Sequence, residues 1–275
     1  MLMLSCSGRS RMHAVGVMLV VVGLLFIGLR WTQGSGSMEA YYYPSPTLYS
    51  DGIVIKLEGG PREILDAFKK AVGDWDEAVR QFNTLKDIEC GLMLVTGCRA
   101  CQSEPRLPRI SMAGDGGYNV LVVFVDKMPR ETVIAYTEYI NIGSILARIT
   151  MWSGVPEHRA YQVALHEISR LYGVDIPEVY RTLFGAVPAG SNTIELNPSL
   201  RQFMSGPPDP MKPTTLDLYT AFEALKNPSG GVYRTGPGTV FRAYDEPDFT
   251  IPTLLSPALI VAGLYLLSRR RVHAG

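Results

Sequence analysis

Histidine is scarce in this 275-residue sequence: His13, His158, His166 and His273 are the only four. His13 and His273 flank apolar terminal segments, so two remain for chemistry in the body of the chain. On one continuous helix, eight residues separate those two by about 12 Å at 1.5 Å per residue, too far to share a metal. Cysteine is equally sparse. Outside the N-terminal segment only Cys90, Cys98 and Cys101 occur, and no second pair or nearby histidine completes a zinc set. In an exported domain their short spacing predicts a disulfide between two of the three, with the pairing open. Net charge is also absent, with 26 basic and 26 acidic residues. All the acidic residues lie between Glu39 and Asp248, an interval holding 20 basic residues, so the middle of the chain carries −6. That balance argues against a general nucleic-acid surface.

Two stretches lack charge altogether. Residues 12–29 (MHAVGVMLVVVGLLFIGL) follow Arg9 and Arg11 and precede Arg30. They read as a cleaved signal peptide or a signal anchor, the anchor being preferred. Residues 249–268 (FTIPTLLSPALIVAGLYLLS) run directly into Arg269-Arg270-Arg271. An apolar span with a basic stop predicts a membrane helix with a cytoplasmic C-terminus and an extracellular main domain. The expected organisation is a cytoplasmic N-terminus (1–11), a transmembrane helix or signal anchor (12–30), a linker (31–50) and a folded domain (51–228). A Gly/Pro-rich stalk (229–248), a transmembrane helix (249–268) and a basic cytoplasmic tail (269–275) follow.

Within the folded region, Tyr41-Tyr-Tyr-Pro-Ser-Pro46 is extended by its prolines, its tyrosines expected to pack on the domain edge. Ile53-Val-Ile-Lys-Leu57 reads as a strand ended by Gly59-Gly60. Pro61 suits a helix start, and Ile64, Phe68, Val72, Trp75 and Val79 then recur at helical spacing through Phe82. Tyr118-Asn-Val-Leu-Val-Val-Phe-Val-Asp126 is nearly continuous in apolar residues, the pattern of a strand buried on both faces. Thr132–Ile140 and Ser144–Trp152, joined through Asn141-Ile-Gly143, predict two adjacent strands with a short turn. Leu216–Leu225 resumes helical periodicity after a proline-rich loop over 197–213.

The informative stretch is Tyr161-Gln-Val-Ala-Leu-His-Glu-Ile-Ser-Arg-Leu-Tyr-Gly173. As a helix it puts Tyr161, Leu165, Ile168 and Tyr172 on one stripe, and His166 with Arg170 on a second face beside Glu167. Gly173 supplies the left-handed residue that ends a helix. With His166, Glu167 and Gly173 at these spacings, the stretch resembles the metzincin signature H-E-x-x-H-x-x-G-x-x-H of zinc metallopeptidases. Arg170 stands where the second histidine of that pattern belongs and Ile176 where the third belongs. Arginine stays protonated and has no lone pair for a metal.

The resemblance, strongest to matrixin-like members, spans about residues 50–228. It implies an α+β fold: a twisted mixed sheet, a long first helix, a central His-Glu helix and a C-terminal helix. It also implies a methionine turn, for which Met204 is the first choice and Met211 the second. Asp175 and Glu178, flanking the missing third ligand, are the remaining carboxylates near the site, and Arg170 is placed to pair with Glu167, Asp175 or Glu178. Three readings of function follow. The first is a membrane-anchored metzincin-like domain, catalytically impaired and without cofactor, that binds peptides or cell-surface proteins. The second is an active zinc endopeptidase with His166 as ligand and Glu167 as general base. The third is a structural or adhesive surface protein unrelated to peptidases.

Overall fold

Three consecutive β-branched residues open Ile53–Glu58, and the buried pair Ile53 and Ile55 makes this strand a centre of the main sheet. The computed structural model describes residues 15–24, 37–95, 104–130, 133–192, 208, 210–236, 239, 241–246 and 259–265. These fall into two units, one of residues 38–235 with 241–246, the other of the terminal segments and 236–240. The larger unit holds strands β1 (Glu39–Tyr42), β2 (Ile53–Glu58), β3 (Ile110–Met112), β4 (Val120–Val125), β5 (Ala135–Ile142) and β6 (Ile145–Trp152). Further along lie β7 (Val174–Asp175), β8 (Val187–Pro188), β9 (Met211–Lys212) and β10 (Gly231–Arg234). Its helices are α1 (Arg62–Val95), α2 (Glu157–Leu171) and α3 (Thr215–Lys226).

The main sheet runs β3-β2-β4-β6-β5. β2 is parallel to β3 and β4, and β4 is parallel to β6; only β5, at the edge, is antiparallel. The α+β expectation is therefore corrected to a mixed α/β domain. The reason is that α1 serves as the crossover from β2 to its parallel neighbour β3. The adjacent strands expected around Asn141-Ile-Gly143 are β5 and β6, and Asn141 turns with φ 48°.

The helical stripe of α1 faces the core. Phe68, Trp75 and Val79 are wholly buried. Trp75 stacks on Tyr172 with ring centroids 4.9 Å apart and donates from its indole to the Leu165 carbonyl at 3.2 Å. These contacts hold α2 against α1, and the Tyr172 hydroxyl, donating to the Pro108 carbonyl at 2.9 Å, fixes the end of α2. α2 is buried almost all round rather than along one stripe, since Gln162, His166, Glu167 and Ser169 are buried as well.

A smaller sheet, β10-β1-β7, corrects two boundaries. The expected linker contributes β1, the middle strand, and the expected stalk contributes β10, which pairs antiparallel with β1 from Glu39↔Arg234 to Tyr42↔Gly231. Residues 241–246 also return to the domain. Thr214 bridges Ala243, and the Tyr244 hydroxyl donates to Asp74 at 2.7 Å.

The membrane expectation is overturned. Among the described residues no helix is long and apolar enough to cross a membrane. Helix is described at 15–24 and 259–265 of the two apolar segments. The two transmembrane helices are not supported, nor is the anchored topology with its extracellular domain and cytoplasmic C-terminus. The disulfide expectation is likewise unsupported as a pair. Cys90, near the end of α1, is disulfide-bonded, but Cys98 and Cys101 lie outside the described residues, so no complete pair is found among them.

Candidate functional site

The last turn of α2 leaves carbonyls without helical partners, and side chains from earlier in the chain supply them. The Ser45 hydroxyl donates to the Leu171 carbonyl at 2.5 Å, as does the Thr47 hydroxyl. The Tyr43 hydroxyl donates to the Arg170 carbonyl at 3.3 Å, and Tyr139 from β5 donates to the same oxygen. Gly173 then turns the chain with φ 69°, as its position after the helix predicts. A Cβ there would collide with the Tyr43 carbonyl, while the Tyr43 N–H donates to the Gly173 carbonyl at 3.0 Å. One glycine thus meets two demands, a left-handed backbone and a close approach of β1.

Beyond Gly173 the chain enters β7 and brings Asp175 back to Arg170. Arg170 Nη1 lies 3.1 Å from Asp175 Oδ2. Arg170 Nη2 donates to Asn192 Oδ1 at 2.9 Å, and Asn192 Nδ2 donates to Asp175 Oδ1 at 2.9 Å, closing a three-membered ring of side chains. The backbone supports this ring. Ile176 N–H donates to the Gly190 carbonyl and Asn192 N–H to the Ile176 carbonyl, each at 2.9 Å. Of the carboxylates expected near Arg170, Asp175 is therefore a partner. Glu178 is exposed and outside the ring. Met204 lies outside the described residues, and Met211, the second choice, is buried on β9.

A cleft of about 340 Å³ opens between α2 and β5, lined by Tyr43, Ala135, Tyr136, Thr137, Tyr139, His166, Glu167 and Arg170. His166 and Glu167 are each only 5% exposed. The Thr137 hydroxyl donates to Glu167 Oε2 at 2.7 Å. Burial, reinforced by the Arg170 guanidinium, pulls the His166 imidazole down to about 3, against the opposing influence of Asp175 and the backbone of Ser191 and Ala189. It is neutral at ordinary pH. Burial raises the Tyr43 phenol, as do Tyr139 and Asp175, with Arg170 acting against them. Both tyrosines are protonated donors.

The segment facing His166 is held from below. Asp217, wholly buried, accepts the N–H of Ala189 at 3.1 Å and of Gly190 at 2.8 Å. It also accepts the backbone N–H and hydroxyl of Thr214, each at 2.8 Å, within the capping box that starts α3. Burial pushes this carboxyl up to about 6 despite the four donors.

The residues do not fit zinc. His166 Nδ1 is buried without a hydrogen-bond partner among the described residues, which leaves one lone pair to offer. The group one turn later on the same helix is the Arg170 guanidinium, which repels a cation. His158 belongs to the same continuous helix as His166, eight residues away, and cannot join it. Among the described residues no three His, Cys, Asp or Glu side chains are grouped to hold a metal ion, whereas catalytic zinc takes three protein ligands.

Of the residues expected at the site, His166, Glu167 and Arg170 line the cleft, Asp175 pairs with Arg170, and Gly173 ends the helix. The sequence pattern alone missed Tyr43, Thr137, Tyr139, Asn192 and Asp217. Only Tyr43 carried a signal, the tyrosine run, and that was read as edge packing. Fold and site together define a mixed α/β domain with a polar cleft between a buried His-Glu helix and the edge strand of its sheet. Comparison with family models, with curated proteins and with solved structures finds no match for this chain.

Proposed function

We propose that this chain carries a metzincin-like domain that has given up zinc chemistry and binds extended peptides in the cleft between α2 and β5. The observation that carries the reading is the outer edge of β5. β5 is the last strand of the sheet, and no described strand pairs with its free side. The Ile134 carbonyl accepts from Trp152 of β6 at 2.9 Å. By antiparallel alternation, the backbone groups of Ala135, Thr137 and Tyr139 then face away from β6. These three residues also line the cleft. A peptide added as a further strand gains main-chain hydrogen bonds there and sends alternate side chains toward the cleft. The order of elements supports the metzincin reading: strand, long helix, mixed sheet, buried His-Glu helix and C-terminal helix. The Arg170–Asp175–Asn192 ring supports the loss of zinc chemistry, because it occupies the position of the second metal ligand with a fixed cation.

The test is titration of the full chain with fluorescent decapeptides of mixed sequence, followed by peptides N-methylated at alternate positions. Strand addition predicts binding that survives a chelator and is abolished by N-methylation in one of the two registers. Absence of binding favours the structural or adhesive alternative. Binding indifferent to N-methylation removes the strand-addition reading. Zinc-dependent cleavage of the peptides favours the peptidase alternative.

A further inference from the structure

Three other segments meet Arg170 at the end of α2. Asp175, which ends β7, and Asn192, after the turn that follows β8, meet its guanidinium, and Tyr43, after β1, hydrogen-bonds both its carbonyl and its side chain. In many small sites such segments are gathered by a metal ion, whose binding free energy becomes folding free energy. Here the cation is covalently attached. A guanidinium presents several donors in one plane, and it meets Asp175 and Asn192 with separate nitrogens. It sits in the last turn of α2, where the helix dipole favours positive charge. Asn192 closes the ring on Asp175, so the two partners of Arg170 are also fixed to each other.

We infer that Arg170 is the positioning residue of the cleft, a built-in cation that gathers β7, the 189–192 segment and the Tyr43 wall onto the His-Glu helix without a metal. The inference rests on the ring geometry and stands whether or not the cleft binds peptides. It predicts a local effect. Losing the guanidinium frees Asp175 and Asn192 from α2 and loosens the Ile176–Gly190 and Asn192–Ile176 backbone bonds. The β2, β4 and β6 ladders, which make no part of the ring, are untouched.

Amide hydrogen exchange on the full chain tests this, comparing wild type with Arg170→Met and Arg170→Lys, each with and without a chelator. In Arg170→Met the amides of Tyr43, Ile176 and Asn192 should exchange about tenfold faster, as a local opening would give. Those of Val122 and Ile149 should keep their wild-type rates. Arg170→Lys keeps the charge but loses the fork and should fall between the two. The chelator should change nothing in the wild type. Unchanged exchange at Ile176 and Asn192 in Arg170→Met would overturn the inference. So would a rise shared equally by Val122 and Ile149, or a chelator effect on the wild type. Should Arg170→Met fail to fold, Asp175→Asn cuts one arm of the ring and is read in the same way. A smaller rise at Ile176 and Asn192 is then expected, and no rise would again overturn the inference.

Discussion

The carboxylate of Asp217 accepts the backbone N–H of Gly190 at 2.8 Å, tying the first turn of α3 to the segment that faces His166. Its other three donors are the Ala189 N–H and the N–H and hydroxyl of Thr214. A buried donor left without an acceptor costs about 1–3 kcal/mol. Asp217→Ala should therefore lower the unfolding free energy by roughly 3 kcal/mol or more. Asp217→Asn keeps one acceptor oxygen and should lose less. Urea unfolding of the two variants gives the comparison. Equal, small losses would mean that Asp217 does not hold the segment.

The pH dependence of stability should show two opposed slopes. His166 is pulled from 6.5 to about 3 in the fold, so the unfolded chain binds its proton first. Its contribution is present above about pH 6.5 and is lost as pH falls toward 3. Asp217 is raised from 3.8 to about 6, so the folded chain binds its proton first. That effect lowers stability as pH rises from about 4 to 6. Each slope is about 1.4 kcal/mol per pH unit at most, and in the wild type the two largely cancel between pH 4 and 6. Single variants should unmask them. Relative to wild type, His166→Gln should gain stability as pH falls from 6 to 4, and Asp217→Asn should lose it. Parallel profiles for all three proteins would contradict the assignment.

Gly173 and Gly185 make a controlled pair. Both have positive φ, 69° and 87°. A Cβ on Gly185 meets nothing within 4 Å, whereas one on Gly173 strikes the Tyr43 carbonyl. Gly185→Ala should cost only the left-handed backbone penalty, about 1–2 kcal/mol. Gly173→Ala should cost clearly more, because β1 must move. Thermal unfolding of the two variants measures the difference, and similar losses would mean that β1 yields easily.

Much of the main sheet was legible because local pattern and burial agree there. β4 is the central strand of the sheet, though only Val120 and Val122 of its apolar run are fully buried and the other face is half-covered, and the α1 stripe from Ile64 to Phe82 faces inward as its spacing requires. The His166–Arg170 pairing on one face of α2 was equally plain, since helical geometry alone places residues four apart together. β1 and β10 were not legible. They are four residues each and pair across almost two hundred positions, so no local signal reports them. Thr137 and Asn192 likewise reach the site from outside α2, meeting Glu167 and Arg170 across gaps that no local pattern reports. Asp217 resembles an ordinary residue in the first turn of a helix, and nothing nearby in sequence announces the Ala189 and Gly190 amides it holds. The terminal apolar stretches misled for a different reason. Hydropathy and flanking arginines were read as membrane spans, while among the described residues no helix is long and apolar enough to cross one.

The loss of zinc chemistry is tested most directly by metal analysis of the full chain after dialysis against equimolar zinc, for the wild type and His166→Ala. With one available imidazole beside the Arg170 guanidinium, the wild type should retain far less than one zinc per chain, and His166→Ala should match it. One zinc per wild-type chain, lost on His166→Ala, would contradict the account and make Glu167 a general base.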